Sequence, residues 1–441
     1  MSNCITNPIP QSGDWFLLED TILHGEFKAY VEGLIRNTPL AGRFRPRLYD
    51  YSDYIIVKLY AFTRGWSTHQ AAQYLNDLLK ERFLEKYDLN PKVYRDGKRK
   101  RRFIPHQTEV DKFYNRIAEQ EVKTIFGGLL DYFTQKILRE QCQKRSWTCM
   151  VDNTKYPYYG EVDPQKHLGF HKLPGTKVAW FFQGVSMHSE DIHVFLEFNS
   201  LTRGVYRALK VPDAIQWQQW LGVDITGMLF DREFYRAALV SDLHKLHTPV
   251  LFPTKKYPWV RAQMHNYLKG TGSFIVGNLF AQTAKQYPYQ QVAFVRLVII
   301  GKDGQGPWEV RDKFLQGHLT YKEAMKQLHG FFTNYTPWKN HKAWVRYLVK
   351  TYKRRWNIET GFAMLNKIHE TGRQRNFRSK LADLYLRATV YNCWQSWRLD
   401  QIRKNLHHRD MTLTEFKYHI KTDLEEIIFT SRENWLQIYK K

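Results

Sequence analysis

Only four cysteines, Cys4, Cys142, Cys149 and Cys393, occur in 441 residues, too few for a fold held together by disulfides. Long hydrophobic runs are missing as well. The most apolar strip, Val292 to Ile300, has nine residues and contains Arg296, far short of the ~20 apolar residues that a spanning helix needs. The opening MSNCITNPIP has neither the basic nor the apolar region of a secretory signal, so the expected compartment is the cytoplasm. Acidic residues are the remaining shortage: 43 Asp and Glu stand against 67 Lys and Arg, a net charge of +24. Disorder does not follow, because 43 % of the residues are hydrophobic and 27 Phe, 27 Tyr and 14 Trp suffice for a large core. The expectation is a soluble folded protein whose excess positive charge calls for a polyanion.

That charge is unevenly placed. Residues 301–441 carry a net +13, and residues 339–380 alone hold twelve basic and two acidic side chains. A second, shorter cluster is Lys98, Arg99, Lys100, Arg101 and Arg102. A charge run is commonly a solvated face or loop, and the short cluster is open to that reading as much as to phosphate contact. In the longer stretch the charges alternate with Trp344, Tyr347, Tyr352, Trp356 and Phe362, as in a helix that packs on one side and meets phosphate on the other.

The organisation of the chain is expected to be α/β. Residues 1–145 read as a helical DNA-binding region, with helical spacing near 52–63, 67–80 and 108–140 and N-caps at Ser67 and Thr108. The turn Arg64-Gly65-Trp66-Ser67 fits either a helix-turn-helix or an ordinary helical hairpin. From residue 146 the texture is that of strands: Trp147 to Val151, Val178 to Met187, Ile192 to Phe198, Met228 to Phe230 and Pro249 to Pro253, with helices at about 205–221 and up to 247. Trp217 and Trp220 are expected in the core. Three strands, a helix, a strand, a helix and a strand match an RNase H-like α/β sheet, whose core is expected over 146–256 and 331–375. Strand-rich composition over about 272–312 marks an inserted β-rich subdomain, bounded at 257–330. A helical C-terminal region follows at 376–441, with Thr412 and Glu415 as a capping box.

Two of the strands end on an acid, Asp152 after WTCMV and Asp231 after GMLF. Such a carboxylate at the carboxyl edge of an α/β sheet points into the crevice where ligands bind, although a turn or helix cap explains either one alone. Glu359, in TYKRRWNIETGFAMLNK, joins them. With VDNTKYPYYG, LFDREFYRAAL, FFTNYT and YKRRWNIETGF in place, the sequence resembles the DDE transposases of prokaryotic insertion sequences, in particular the cut-and-paste group with a β-strand insertion before the catalytic Glu. The anchors cover about 150 to 400. Tyr352, Arg355 and Glu359 meet the Y-x2-R-x3-E part of that family's signature, but the expected Lys position holds Asn366, and Lys367 comes one later. On one ideal helix Tyr352, Arg355, Glu359 and Asn366 fall within about 60° of each other, with Lys367 about 80° round from Glu359.

The resemblance implies DNA cleavage at element ends and strand transfer into a target, with Asp152, Asp231 and Glu359 as catalytic residues and ligands of two Mg²⁺ ions, Mn²⁺ substituting. It implies double-stranded DNA as partner, a homodimer on paired ends and a nucleoid location. Arg355 and Tyr352 would hold the scissile strand, with Lys367, Arg354, Arg373, Arg375 and Arg378 along the same DNA. Trp338 is open to two readings, a packing ring and a ring beside a flipped base. The same residues would also serve a structure-specific nuclease that does not join, or a DNA-binding repressor without catalysis. Cys142, Cys149, His167 and His171 superficially suggest zinc, but the C-x6-C spacing is wider than zinc sites use. If six or more phosphates are contacted, DNA affinity measured by fluorescence anisotropy should fall by roughly 10³ or more between 50 and 200 mM salt.

Overall fold

The computed structural model describes residues 26–44, 49–87, 95–96, 99–100, 103–141, 146–158, 170–173, 176–189, 192–201, 210–282, 291–369, 376–403 and 412–440. The chain divides into two units, one of residues 1–116, 369–372 and 404–441 and one of 117–368 and 373–403.

The first unit begins with α1 (Glu26–Arg36), α2 (Leu40–Arg43), α3 (Tyr51–Arg64) and α4 (Thr68–Tyr87). The two-residue strands β1 (Arg95–Asp96) and β2 (Arg99–Lys100) and helix α5 (Gln107–Arg116) follow. Arg99 and Lys100 of the short basic cluster thus form a strand, and its other members lie outside the described residues. Gly65 ends α3 in the left-handed region, with φ of 66°, which a residue without Cβ adopts freely. Ser67 then caps α4, accepting from the Gln70 amide at 3.2 Å while the Gln70 side chain accepts from the Ser67 amide. Thr108 is not a cap, because α5 starts one residue before it; His106 precedes the helix, and its amide donates to Glu109. Helix α3 is buried on nearly every side, and Arg82 and Lys86 of α4 are ion-paired to Glu426 and Glu433.

The second unit opens with α6 (Glu119–Val122), a π-turn and α7 (Gly128–Gln141), then β3 (Trp147–Tyr158), β4 (Phe170–Leu173), β5 (Thr176–Ser189), β6 (Ile192–Leu201) and α8 (Val211–Trp220). It continues through β7 (Ile225–Phe230), α9 (Ala237–Lys245), β8 (Val250–Pro253), α10 (Pro258–Lys269), β9 (Ile275–Gln282) and β10 (Gln291–Gly301). After these come α11 (Pro307–Leu315), α12 (Tyr321–Gln327), β11 (Leu328–Thr333), α13 (His341–Lys353), α14 (Trp356–Lys367) and α15 (Phe377–Arg403). The last helix, α16 (Leu413–Lys440), belongs to the first unit and starts with the Thr412–Glu415 capping box.

One nine-stranded sheet runs through the second unit. Strand β5 pairs antiparallel with β6 on one side and with β3 on the other, while β7 and then β8 continue parallel to β3. Beyond β8 the strands β11, β10 and β9 are all antiparallel. Residues Trp147 to Val151 are buried without alternation, as expected of a strand covered on both faces. Helix α15 is buried nearly all round. Its Asn392 side chain accepts from the Phe195 amide and donates to the Phe195 carbonyl, and the Tyr385 hydroxyl does the same for Phe198. The backbone of β6 is thereby satisfied by a helix.

Several expectations change. Segment 257–330 holds helices α10, α11 and α12 beside its two strands, and those strands extend the main sheet. Residues 307–312, read as strand, begin α11 instead, because Pro307 sits at its first turn, where a missing N–H is harmless. Trp217 and Trp220 are 47 % and 72 % exposed and stack at 5.0 Å, since α8 turns Val211, Ala214, Ile215 and Gln218 inward. Among the described residues no helix is long and apolar enough to cross a membrane.

The core of the first unit contains an ion pair between Asp53 of α3 and Arg432 of α16, both almost wholly buried. Arg432→Met would strand that carboxylate, and chemical denaturation followed by circular dichroism should show a loss of about 3–5 kcal/mol in this unit. An unchanged midpoint would show that Lys28, 3.8 Å from Asp53, suffices as its counter-charge.

Candidate active site

The parallel pairing of β3 with β7 ends at Val151 opposite Phe230. The next residue on each strand is an acid, Asp152 and Asp231, so the register itself sets two carboxylates side by side at the sheet's carboxyl edge. Strand β3 does not end there as the sequence implied; it runs on to Tyr158, paired with β5. Asp152 accepts from the Asn153 amide at 2.7 Å, and Asp231 from the Arg232 amide at 2.7 Å. The capping role that explains a lone strand-end Asp is therefore real for Asp231, which precedes a 3₁₀ turn.

Glu359 arrives from the other side of the sequence. The stretch from Tyr352 to Lys367 is not one helix: α13 ends at Lys353 and α14 begins at Trp356. Arg354 and Arg355 form a tighter turn between them, with amide bonds reaching back three residues, from Arg354 to Thr351 and from Arg355 to Tyr352. The ideal-helix angles between Tyr352 and the residues of α14 therefore do not hold, and Arg355 instead stands at the entry of α14. From there its guanidinium donates to Asp152 Oδ2 at 3.3 Å and to Glu359 Oε1 at 2.5 Å. Its side chain is only 13 % exposed. Burial opposes the guanidinium charge, but Tyr352, Glu359 and Asp152 outweigh it and hold the pKa above its ordinary value.

The Asp152 carboxyl is pushed above its usual range. Burial is the main cause, and repulsion from Glu359 and Asp231 adds to it, while the Asn153 amide and Arg355 work the other way. Asp152 thus feels both of the other acids electrostatically. Tyr352 donates its hydroxyl to the Phe230 carbonyl at 3.4 Å, directly before Asp231, and its ring packs 4.9 Å from Phe331. Burial raises its pKa to about 12.

The remaining expected residues are more dispersed. Lys367 is exposed in the last turn of α14, and Asn366, at the position where the signature has Lys, accepts from Tyr156 of β3 at 3.4 Å. Arg354 is half-buried and close enough to influence Tyr335. Trp338 is 47 % exposed with its ring 4.8 Å from Tyr347. Arg378 donates to the Ile117 carbonyl at 3.3 Å. Arg373 and Arg375 lie outside the described residues, as do Cys142 and His167 of the zinc reading; Cys149 is a buried free thiol.

Three oxygen-donor carboxylates are the right chemistry for Mg²⁺ or Mn²⁺. As the side chains lie, no group of three His, Cys, Asp or Glu among the described residues is placed to hold a metal ion. Two of the three acids share the Arg355 guanidinium instead, a cation where positive charge is needed. The chemistry of the donor set, three carboxylates, suits a divalent cation; their arrangement beside Arg355 does not hold one.

Two glycines that the sequence did not single out bring α14 to this position. Gly184 is the cross-strand partner of Asp152, and a Cβ there would stand 2.7 Å from the Phe362 ring. A Cβ on Gly361 would stand 2.5 Å from His193. His193 is buried and hydrogen-bonded to the Tyr391 hydroxyl at 3.1 Å, and burial lowers its pKa to about 3, so it packs as a neutral ring. The available signal was a glycine inside a strand, which marks a close approach of another element. The FFTNYT segment serves as a strut. Thr333 donates to the Val250 carbonyl, Asn334 accepts from the Val250 amide, and the Tyr335 hydroxyl occupies the space that a Cβ on Gly227 would take.

No protein-family model matches the sequence, and neither does any curated protein. The chain is similar to a solved structure of a piggyBac transposase synaptic complex with hairpin DNA, with 9 % identity and a TM-score of 0.47, over 92 % of this chain and 77 % of that one. A likeness of that size fixes no activity.

Gly361→Ala and Gly184→Ala should each displace α14 and separate Glu359 from Asp152. Overpacking of this kind costs about 1–3 kcal/mol, so thermal melting should fall by a few degrees while the fold persists. Melting temperatures equal to the parent's would show that the neighbouring rings yield without moving the helix.

Proposed function

We propose that the chain is a metal-dependent DNA transposase of the DDE type, which cleaves the ends of a mobile element and joins them to target DNA. The observation that carries this reading is that Asp152 and Glu359, far apart in the chain, share the Arg355 guanidinium, while the β3–β7 register sets Asp231 beside Asp152. The strand order β6-β5-β3-β7-β8, with the last two parallel to β3, supports an RNase H-like core for the site. The motif residues quoted from the sequence support the family.

Asp152, Asp231 and Glu359 would hold two Mg²⁺ ions, which when bound would stabilise the attacking and leaving oxygens of an in-line phosphodiester displacement. Arg355 neutralises Asp152 and Glu359 until DNA arrives, then offers its fork to a phosphate. Tyr352 keeps the Asp231 end of β7 in place through the Phe230 carbonyl. Trp338, Arg354, Lys367, Arg373, Arg375 and Arg378 extend the contact along the duplex, and two copies of the chain act on paired element ends.

Incubation with labelled element-end DNA, supercoiled target and Mn²⁺ tests the reading. Asp152→Asn, Asp231→Asn and Glu359→Gln should each lower nicking by about 10²–10³-fold or more, as the loss of a transition-state clamp does. Joined product should appear with the parent protein. Nicking without joining would point to a nuclease, and nicking that survives Asp152→Asn would remove the site assignment.

A further inference from the structure

Helix α13 has the sequence HKAWVRYLVKTYK and contains no acidic residue. Its inward side is Trp344, Val345, Leu348 and Thr351, all buried. Lys342, Arg346, Lys350 and Lys353 are exposed. On a helix these four fall within an arc of about 80° and span about 16 Å of its length. Tyr352, the residue of α13 that reaches the acids, projects roughly 115° away from the middle of that arc, so the stripe is a separate surface from the active site.

Two features set this stripe apart from an ordinary solvated face. A helix stabilises a basic residue by placing an acid three or four positions away, but here 342/346 and 346/350 are both like-charge pairs at four-residue spacing, which oppose helix formation. Among the described residues none of the four forms an ion pair. The two at the N-terminal end are also pre-ordered. Lys342 Nζ lies 5.3 Å and the Arg346 guanidinium 5.5 Å from the Trp308 ring centroid, so one aromatic plane of α11 holds both cations. At the other end Lys353 Nζ reaches the exposed Lys302–Gly304 turn, 3.4 Å from where a Gly304 Cβ would stand. Lys302 adds a further positive charge there, and Asp303 is the one acid of that turn.

We infer that Lys342, Arg346, Lys350 and Lys353 form a phosphate-tracking stripe that grips the backbone of duplex DNA outside the active site. The choice of DNA rests on the transposase reading above; the geometry of the stripe does not. At 3.4 Å of axis per phosphate on one strand, its length matches about five consecutive phosphates. Backbone contact carries no sequence information, so an element-end duplex and an unrelated target duplex should both be gripped.

The test measures affinity of the full chain for both duplexes, without divalent metal, across a series of salt concentrations. For the quadruple variant Lys342→Gln/Arg346→Gln/Lys350→Gln/Lys353→Gln the slope of log affinity against log salt should become shallower by about 3.6, and for each adjacent double variant by about 1.8. The Lys→Arg variants at 342, 350 and 353 should keep the parent slope. Circular dichroism should show unchanged helicity, since only exposed like charges are removed. A change on one duplex alone would assign the stripe to that DNA. A slope unchanged on both would overturn the proposal, and so would unfolding of the neutral variants with the Arg variants intact, because the charges would then serve the fold. Because the assay reads binding in the absence of divalent metal, its result is independent of whether the chain cleaves DNA at all.

Discussion

The charge balance around Arg355 is the constraint on which the rest of the candidate site depends. Two unit charges about 4 Å apart interact by about 4 kcal/mol at the effective dielectric of a protein surface, so a buried carboxylate with other acids near it gains from a cation. Arg355 supplies one positive charge, shared between Asp152 and Glu359. Burial is the main reason that the Asp152 pKa is raised, and repulsion from Glu359 and Asp231 adds a smaller contribution.

Everything nearby serves to keep the acids close in spite of that repulsion. The parallel register of β3 and β7 fixes two of them with no help from side chains. The third is carried by a helix that approaches closely only because Gly184 and Gly361 have no Cβ. Tyr352 and the Thr333–Tyr335 strut fasten β7 and β8 by hydrogen bonds to backbone, so the sheet edge cannot spread under the charge. Rigidity of this kind is what the proposed metal site would need.

Much of this was legible in the sequence, and the failures have physical causes. Apolar runs that end on an acid located β3, β7 and both Asp residues, because a strand buried on both faces has a recognisable composition. The break between α13 and α14 was not legible: KRRWN contains neither Gly nor Pro, and helical periodicity passes through a tight turn unchanged. Trp217 and Trp220 were misplaced because the inward face of α8 is made by smaller residues, so size was a poor guide to burial. The two glycines under α14 matter through residues 178 and 168 positions away in the chain, Phe362 and His193, a separation that composition and spacing do not bridge. Charge density pointed to 339–380, but only the structure shows which of those side chains share a face.

The most direct test of the account is a calorimetric Mn²⁺ titration of the protein with end DNA bound, compared with the Asp152→Asn/Asp231→Asn/Glu359→Gln variant. Two Mn²⁺ ions per chain that vanish in the variant, while DNA stays bound, are the predicted result. Equal Mn²⁺ binding by both proteins would contradict it, because the three acids would then not be the ligands.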